Sequence, residues 1–124
     1  MRLLLDTHVF LWWRAGGGRL GPAAVKRIST ANQVFVSAAS AWECAIKARL
    51  GKLTLPGPFG EGVDDSGFDR LSVTVEHAEF VETLPDHHRD PFDRLLVAQA
   101  LCESLLFLTA DNQIGAYDVP ILQV

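Results

Sequence analysis

Four acidic residues stand at the ends of predicted strands or the starts of predicted helices. Asp6 ends the first apolar run, and Asp111 follows the apolar run at 105–109. Glu43 and Asp93 lie in the first turn of two predicted helices. Four carboxylates around one cleft repel each other and resist ionisation, a conflict that a divalent cation removes. Oxygen ligands without clustered His or Cys favour Mg²⁺ or Mn²⁺, ions that serve phosphodiester cleavage.

Each acid also has an ordinary structural explanation. Ser40 and Glu43 have the S-x-x-E spacing of a helix-capping box. Asp93 lies where a negative charge suits the helix dipole. Asp6 fits the N-cap of the next helix, and Asp111 fits the start of a turn. For Glu43 and Asp93 capping and metal binding carry equal weight, whereas Asp6 and Asp111 favour metal binding because both follow buried strands.

The elements that must position these acids alternate between strands and helices. Strands are predicted at 3–5, 34–36, 71–75, 105–109 and 119–124, with 71–75 and 119–124 at edges. Helices are predicted at 7–14, 22–31, 40–50, 76–84 and 90–103, the last capped by Asp90 with Pro91 in its first position. The Gly-rich stretch 56–69 is predicted to be a loop with one weak helical turn at most. This order predicts an α/β fold with a mainly parallel sheet and a ligand site at the carboxyl ends of its strands.

Composition excludes several classes of protein. The chain of 124 residues, 48% hydrophobic and 21% charged, has the size of one domain and is neither disordered, collagenous nor disulfide-rich. No apolar run reaches the ~18 residues that span a membrane, and Asp6 and His8 interrupt the start of any signal peptide. Cys44 and Cys102 match no zinc spacing. We therefore expect buried free thiols in a cytoplasmic protein.

The net charge of −4 is unevenly distributed. Residues 1–56 carry two acids and eight bases, whereas residues 57–124 carry thirteen acids and three bases. The overall balance argues against a generic nucleic-acid coat. It allows a local basic face on the first half and an acidic pocket to which both halves contribute.

Further residues have two explanations each. The Thr7 hydroxyl either assists a water at the metal or caps its own helix. Candidate phosphate contacts are Lys47, Arg49 and Lys52, although a solvated helix face is the better explanation for at least one of them. Core or dimer contact is favoured over base stacking for Trp12, Trp13 and Trp42. Packing is favoured for His8, and a solvated loop for His87 and His88.

Four segments, which follow each other in order from nearly one end of the chain to the other, resemble the PIN-domain family of ribonucleases, especially the VapC-like toxins of toxin–antitoxin pairs. Residues 3–13 resemble the family's first strand with its catalytic Asp, and residues 36–47 are similar to the segment that holds its Glu. Residues 88–100, which begin His-Arg-Asp-Pro-Phe-Asp, are close to the most specific signature of one subfamily. Residues 108–111 resemble the segment of the last acidic position.

The resemblance implies a PIN-like three-layer α/β/α fold over residues 1–124, with a five-stranded sheet in the order 3-2-1-4-5. It implies Asp6, Glu43 and Asp93 as the core metal ligands and Asp111 as the fourth, while Asp90 is mainly the helix cap. The implied activity is that of a Mg²⁺-dependent (or Mn²⁺-dependent) endoribonuclease toxin, in which a metal-activated water attacks phosphorus. The implied partners are RNA, a small antitoxin and a second copy of the chain.

Two observations limit the resemblance and its rivals. Relatives usually have a more regular helix at 57–67, so local order and part of the partner surface stay open there. A phosphatase of the haloacid-dehalogenase type, a rival among metal-dependent phosphoesterases, needs a second Asp two residues after the first, where this chain has His8. A catalytically silent RNA- or protein-binding module is the other rival, and the intact set of acids argues against it.

Overall fold

The computed structural model describes residues 1–16, 18–87, 90–111, 114, 117 and 121–123. Residues 121–123 are described by their backbone alone. Its strands are β1 (Arg2–Leu5), β2 (Gln33–Ser37), β3 (Asp69–Leu71), β4 (Leu106–Thr109) and β5 (Ile121–Gln123). Its α-helices are α1 (Thr7–Ala15), α2 (Pro22–Thr30), α3 (Ala38–Arg49), α4 (Phe59–Asp65), α5 (Val75–Phe80) and α6 (Pro91–Glu103), and a 3₁₀ turn at Val81–Thr83 follows α5. None of these described helices has the length and apolar character needed to cross a bilayer.

The five strands form one parallel sheet in the order β3-β2-β1-β4-β5. In its centre, Leu4 of β1 pairs with Phe35 of β2 on one side and with Phe107 of β4 on the other. The order reverses between β1 and β4, and the Asp6 backbone N–H donates to the Leu108 carbonyl across this point (2.9 Å). The predicted α/β fold and the implied strand order are confirmed, and the carboxyl ends of β1 and β4 lie side by side.

Helices cover both faces of the sheet, which explains the unbroken apolar runs of the inner strands. Leu3 and Leu5 join a core with α1, α2, α4 and the inner residues of β2. Leu4, between them, joins the opposite core with α6 and Phe107. Because successive strand side chains point to opposite faces, a strand buried on both sides has no polar alternation.

Helix α3 begins earlier than the sequence predicts, and this changes the position of Glu43. Ser37 is the N-cap: its hydroxyl oxygen accepts from the Ala39 N–H (3.0 Å), and the hydroxyl donates to Oε1 of the buried Gln99 in α6 (2.5 Å). Glu43 therefore lies in the second turn, and the predicted capping box of Ser40 and Glu43 is wrong. Two serines were available as caps, and β2 runs on to the first of them.

The predicted edge strand at 71–75 is also shorter and placed earlier. Strand β3 ends at Leu71, and Val75 already belongs to α5. Thr74 accepts from the His77 N–H and donates its own N–H to the His77 Nδ1, each over 3.1 Å. This capping box has a His where Glu or Gln is usual, and the sequence therefore does not indicate a helix start at Thr74. The alternating apolar pattern of 71–75 predicts a strand instead.

A two-turn helix, α4, occupies the stretch predicted as a loop at 56–69. Its Val63 is buried, and the ring of Phe59 packs against Phe10 with 5.0 Å between centroids. The glycine at 62 has a local reason: a Cβ there would lie 2.7 Å from the Arg14 Nε. Apolar anchoring thus outweighs the low helix propensity of the glycines.

The last turn of α6 reaches the surface, although its residues 96–100 are buried. Cys44 is a buried free thiol as predicted, whereas Cys102 is exposed, contrary to the prediction. The apolar positions of α6 suggested burial around the whole helix, but the core covers only its middle. Of the predicted last strand, residues 121–123 form β5, and residues 119, 120 and 124 lie outside the described part of the chain.

Candidate active site

Asp6 and Glu43, the acid pair, bring two carboxylates together near the carboxyl ends of β1 and β2. Asp6 follows β1 directly, and Glu43 lies in α3, which follows β2. The two residues are only 5% and 3% exposed, respectively. They are also neighbours in space, because the hydroxyl of Thr7, the residue after Asp6, lies 2.9 Å from the Glu43 Oε1. The fold thus buries two anionic groups side by side, which is costly unless other groups compensate their charge.

Hydroxyl groups hold both carboxylates in fixed orientations. Thr109 donates its hydroxyl to the Asp6 Oδ2 (2.6 Å), and Thr7 donates its hydroxyl to the Glu43 Oε1 (2.9 Å). The Ser40 Oγ lies 2.8 Å from the Thr7 Oγ1. Because the single Thr7 proton points to Glu43, the Ser40 hydroxyl donates to Thr7. The Thr7 side chain therefore belongs to the site, and its predicted alternative as a helix cap is wrong.

Asp6 has a second role, as the N-cap of α1. Its Oδ1 accepts from the Thr7 backbone N–H over 2.7 Å, so the capping alternative proposed for it is confirmed. The cap engages one carboxylate oxygen, while the other faces Thr109. Capping and a place in the acid pair are therefore compatible for this residue.

Burial is the largest cause that raises the pKa of Asp6 above its ordinary value of 3.8, and the charge of Glu43 adds to it. The hydrogen bonds from Thr109 and from the Thr7 backbone, together with the charge of His8, lower the pKa but do not cancel the effect of burial. Asp6 is thus a carboxyl group whose charged form would gain from a nearby cation.

Lys47 supplies positive charge to the acid pair. Its Nζ lies 2.7 Å from the Glu43 Oε2, one helical turn away along α3. The hydrogen bond to Glu43 is the largest cause that raises the pKa of Lys47, and the charge of Asp90 adds to it. The Lys47 side chain is 38% exposed, whereas the Glu43 side chain is 4% exposed. The base therefore lies on the solvent side of the buried acid.

Two more of the acids singled out in the sequence lie at the start of α6. The Asp90 carboxylate accepts from the Phe92 N–H (2.8 Å) and the Asp93 N–H (3.2 Å), which confirms Asp90 as the cap. Asp93 is half-buried in the first turn. The ring of Phe92 lies 5.2 Å from that of Trp42 in α3, so this end of α6 packs beside the helix that carries Glu43.

Asp111 joins the site through Thr109. Its backbone N–H donates to the Thr109 Oγ1 (3.0 Å), the same hydroxyl that donates to Asp6. Asp111 is half-buried. Of the four predicted acids, Asp6 and Glu43 are thus buried, whereas Asp93 and Asp111 are half-buried.

A hard divalent cation suits the chemistry of this set, because its donors are carboxylate and hydroxyl oxygens. In the arrangement seen here, no three His, Cys, Asp or Glu side chains of the described ranges are close enough to share one ion. Donors of the protein itself, among them Thr109 and Lys47, satisfy the two buried carboxylates. The residues therefore suit a cation by the type of their donor atoms, and binding requires side chains to move, because protein donors hold the buried carboxylates and no three acids of the described ranges surround one point.

A groove of about 790 Å³ is lined in part by Thr7 and Lys47, the two residues whose side chains bond to Glu43. Its wall is mainly apolar, with contributions from Leu11, Leu53, Leu55 and Phe59. Among the described residues, the lining contains no Asp or Glu, and its Lys and Arg residues are Arg14, Arg19, Lys47 and Lys52. We call this the basic groove; it is the local basic face that the charge distribution of the sequence allows.

The three predicted phosphate contacts differ in their position relative to the basic groove. Lys52 is exposed and lines the basic groove, and Lys47 lines it while bonded to Glu43. Arg49 is exposed and lies outside the lining of the groove, as expected for a solvated helix face. His8 lines the groove and is exposed, and its ring packs beside that of Trp12 with 6.2 Å between centroids, so the packing predicted for it is on the surface. His87 is exposed as predicted, and His88 lies outside the described residues.

The three tryptophans have different surroundings. Trp13 packs against Phe68 with 5.4 Å between ring centroids, as a core contact. The Arg19 guanidinium carbon lies 4.9 Å from the ring centroid of Trp12. Trp42 is 62% exposed and meets Phe92 edge-on at 5.2 Å between centroids. Core contact is therefore confirmed for Trp13, while Trp42 is a surface residue.

Two residues that support the acid pair, Ser40 and Thr109, are not predicted as site residues from the sequence. Ser40 was interpreted as a helix cap, and Thr109 as part of an apolar strand. A usable signal was present for Thr109, which stands two residues before Asp111 in the last position of a buried strand. Ser40 precedes Glu43 by three residues within one helix, a spacing that places both side chains on one face.

Comparison with known proteins agrees with this architecture. The family model described as PIN domain matches residues 3–120. Ribonuclease VapC22 of Mycobacterium tuberculosis is 30% identical over 121 residues, which cover 95% of this chain and 93% of that protein.

Solved structures share the fold at lower identity. VapBC2 from Rickettsia felis, bound to a promoter DNA fragment, aligns with a TM-score of 0.75 and 11% identity over 99% of this chain and 98% of that one. A toxin-antitoxin complex from Klebsiella pneumoniae aligns with a TM-score of 0.69 and 16% identity over 98% and 96% of the two chains. The family model spans nearly the whole sequence, and the chain belongs to the PIN domain family.

Proposed function

We propose that this chain is a metal-dependent endoribonuclease and the toxin of a toxin–antitoxin pair. The observation that carries this proposal is the acid pair, two buried carboxylates near the carboxyl ends of β1 and β2, with Asp6 beside the point where the strand order reverses. Such a pair lowers stability and is typical of a site kept for its chemistry. The name of the curated relative, a ribonuclease, supports RNA as the substrate.

Asp6 and Glu43 would hold a Mg²⁺ or Mn²⁺ ion, with Asp93 as the third carboxylate and Asp111 as the fourth. Such an ion supplies charge neutralisation at the phosphate and activation of the attacking water. The chain itself supplies orientation, because Thr109 and Thr7 fix one oxygen of each buried carboxylate. Burial excludes bulk water and thereby strengthens every electrostatic interaction in the site.

The basic groove would position the RNA backbone. Lys52 and Arg19 line it without an acidic residue in the described lining, and His8, which also lines it, follows Asp6 by two positions in the sequence. Phosphate contacts of this kind fix the register of a nucleic acid and carry little sequence information. The selection of an RNA sequence therefore has to come from other contacts.

The same groove is suited to a small antitoxin that covers the site. Its apolar wall would bind apolar side chains, and its basic rim would attract acidic ones. The relationship to a toxin-antitoxin complex of the same fold supports such a partner. A homodimer, implied by the resemblance, stays a prediction.

Cleavage of RNA by the purified protein tests the proposal. We expect cleavage of single-stranded or loop RNA with Mg²⁺ or Mn²⁺, no cleavage in excess EDTA, and recovery when the metal is restored, because the site offers oxygen ligands to a cation. End-labelled RNA resolved on a denaturing gel gives the readout. Cleavage that survives exhaustive chelation would rule out the metal mechanism, and intact RNA under every metal condition would contradict the nuclease.

A further inference from the structure

The pair of Lys47 and Glu43 is unequal in mobility. Glu43 is buried, and its Oε1 is held by the Thr7 hydroxyl. Lys47 contacts the other oxygen, Oε2, from the solvent side through a long and partly exposed side chain. The acid is therefore fixed while the base is free to swing away, since a half-exposed ammonium loses little when water replaces its partner.

Among the hydrogen-bond donors to the acid pair in the described part of the chain, Lys47 is the one that carries a positive charge. The oxygens of Asp6 accept from a backbone N–H and from the Thr109 hydroxyl, both neutral groups. Of the four carboxylate oxygens, the Glu43 Oε2 is thus the one that bonds to a cation. A cation that joined the acid pair would meet Lys47 at this oxygen.

We propose that Lys47 is an exchangeable counter-ion, which neutralises Glu43 in the metal-free protein and gives up the Oε2 atom when a divalent cation binds. This inference rests on the proposed function, since it takes Glu43 to be a metal ligand. The displaced ammonium has a place to go, because Lys47 already lines the basic groove, where phosphates would bind. Lys47 is therefore a positioning residue that acts through Glu43.

Two opposite effects follow for the Lys47→Met variant, which keeps most of the length of the side chain and removes its charge. The metal-free protein should melt at a lower temperature, because a buried carboxylate loses its counter-ion. Mn²⁺ should bind more tightly, by about tenfold, because the competing ammonium and its repulsion are gone. The rise in melting temperature at a given Mn²⁺ concentration should grow accordingly.

The experiment measures melting temperature against Mn²⁺ concentration for the parent chain, Lys47→Met, Glu43→Gln and Lys26→Met. Lys26 is an exposed lysine on α2, so its replacement removes the same charge away from the site. We expect Lys26→Met to follow the parent curve. We expect Lys47→Met to start lower and to rise more steeply, so that the gap to the parent narrows or reverses as Mn²⁺ increases.

The outcomes separate this inference from the function on which it rests. If Glu43→Gln loses the response to Mn²⁺ while Lys47→Met responds like the parent, Lys47 is an ordinary salt-bridge partner and the inference is overturned. If Glu43→Gln keeps the full response, Glu43 is not a ligand, and the proposed ligand set fails with the inference. A Lys47→Met variant that binds Mn²⁺ more weakly would also overturn it, because Lys47 would then support the metal site.

Discussion

Asp6→Asn should abolish RNA cleavage and leave the metal-free protein at least as stable as the parent. Asn accepts a hydrogen bond at a helix N-cap about as well as Asp, so the bond from the Thr7 N–H survives. The Asn side chain amide can also donate to the Thr109 hydroxyl, which rotates to accept. Only the negative charge is lost, and with it the ability to bind a cation strongly.

The loss of cleavage should exceed the roughly 100-fold effect typical of removing a group that only supports a metal ligand. Single-turnover cleavage of a labelled RNA gives the rate, and thermal melting of the same preparation gives the stability. A variant that melts well below the parent would show that the Asp6 charge stabilises the fold. A variant that cleaves within a few-fold of the parent would exclude Asp6 from the chemistry.

The raised pKa of Asp6 gives this comparison a pH dependence. Its folded pKa lies above the unfolded value, so the native state holds more protons in the window between the two. The free energy of unfolding of the metal-free parent should therefore fall as the pH rises through that window, and recover as the pH is lowered. Asp6→Asn should lack this contribution, which denaturant unfolding of both proteins at several pH values would detect.

Asp93→Asn should lose most of the cleavage activity, whereas Asp90→Asn should keep it. Asp90 accepts from two backbone N–H groups at the start of α6, and Asn preserves such a cap. We therefore expect Asp90→Asn to keep most of the activity. Asp93→Asn loses a favourable dipole effect of about 0.3–1 kcal/mol, and it should remove most of the cleavage if Asp93 is the third carboxylate.

These two variants form a matched pair, because each replaces one carboxylate by an amide in the same helical turn. Cleavage rates measured beside melting temperatures separate ligand loss from helix destabilisation. Equal losses of activity would mean that Asp90 does more than cap the helix. Unchanged activity in Asp93→Asn would show that its charge serves the helix alone.

Local chemistry made most of the fold predictable from the sequence. Asp90 and Pro91 set the start of α6, and unbroken apolar residues identified β1 and β4. The order of the strands came from the resemblance, because periodicity alone does not say which strands are neighbours. The pairings of β1 with β2 and β4 agree with that order.

What the sequence did not reveal depends on tertiary contacts. Ser37, and not Ser40, is the N-cap of α3, because β2 extends to Ser37 and places it in contact with Gln99 of α6, more than sixty positions away. This shift frees Ser40 to bond Thr7 and moves Glu43 from the helix start into the second turn. The capping explanation for Glu43 thus disappears once the fold is known, which strengthens its proposed role as a ligand.

Direct measurement of Mn²⁺ binding tests the central claim, that the acid pair holds the ion used for RNA cleavage. Titration of Mn²⁺ into the parent chain and into Asp6→Asn, with free Mn²⁺ followed by electron paramagnetic resonance, gives the affinity without any need for turnover. The parent should bind Mn²⁺ saturably, and Asp6→Asn should bind it much more weakly. Equal, saturable binding by both proteins would contradict the claim, because the ion would then be held elsewhere.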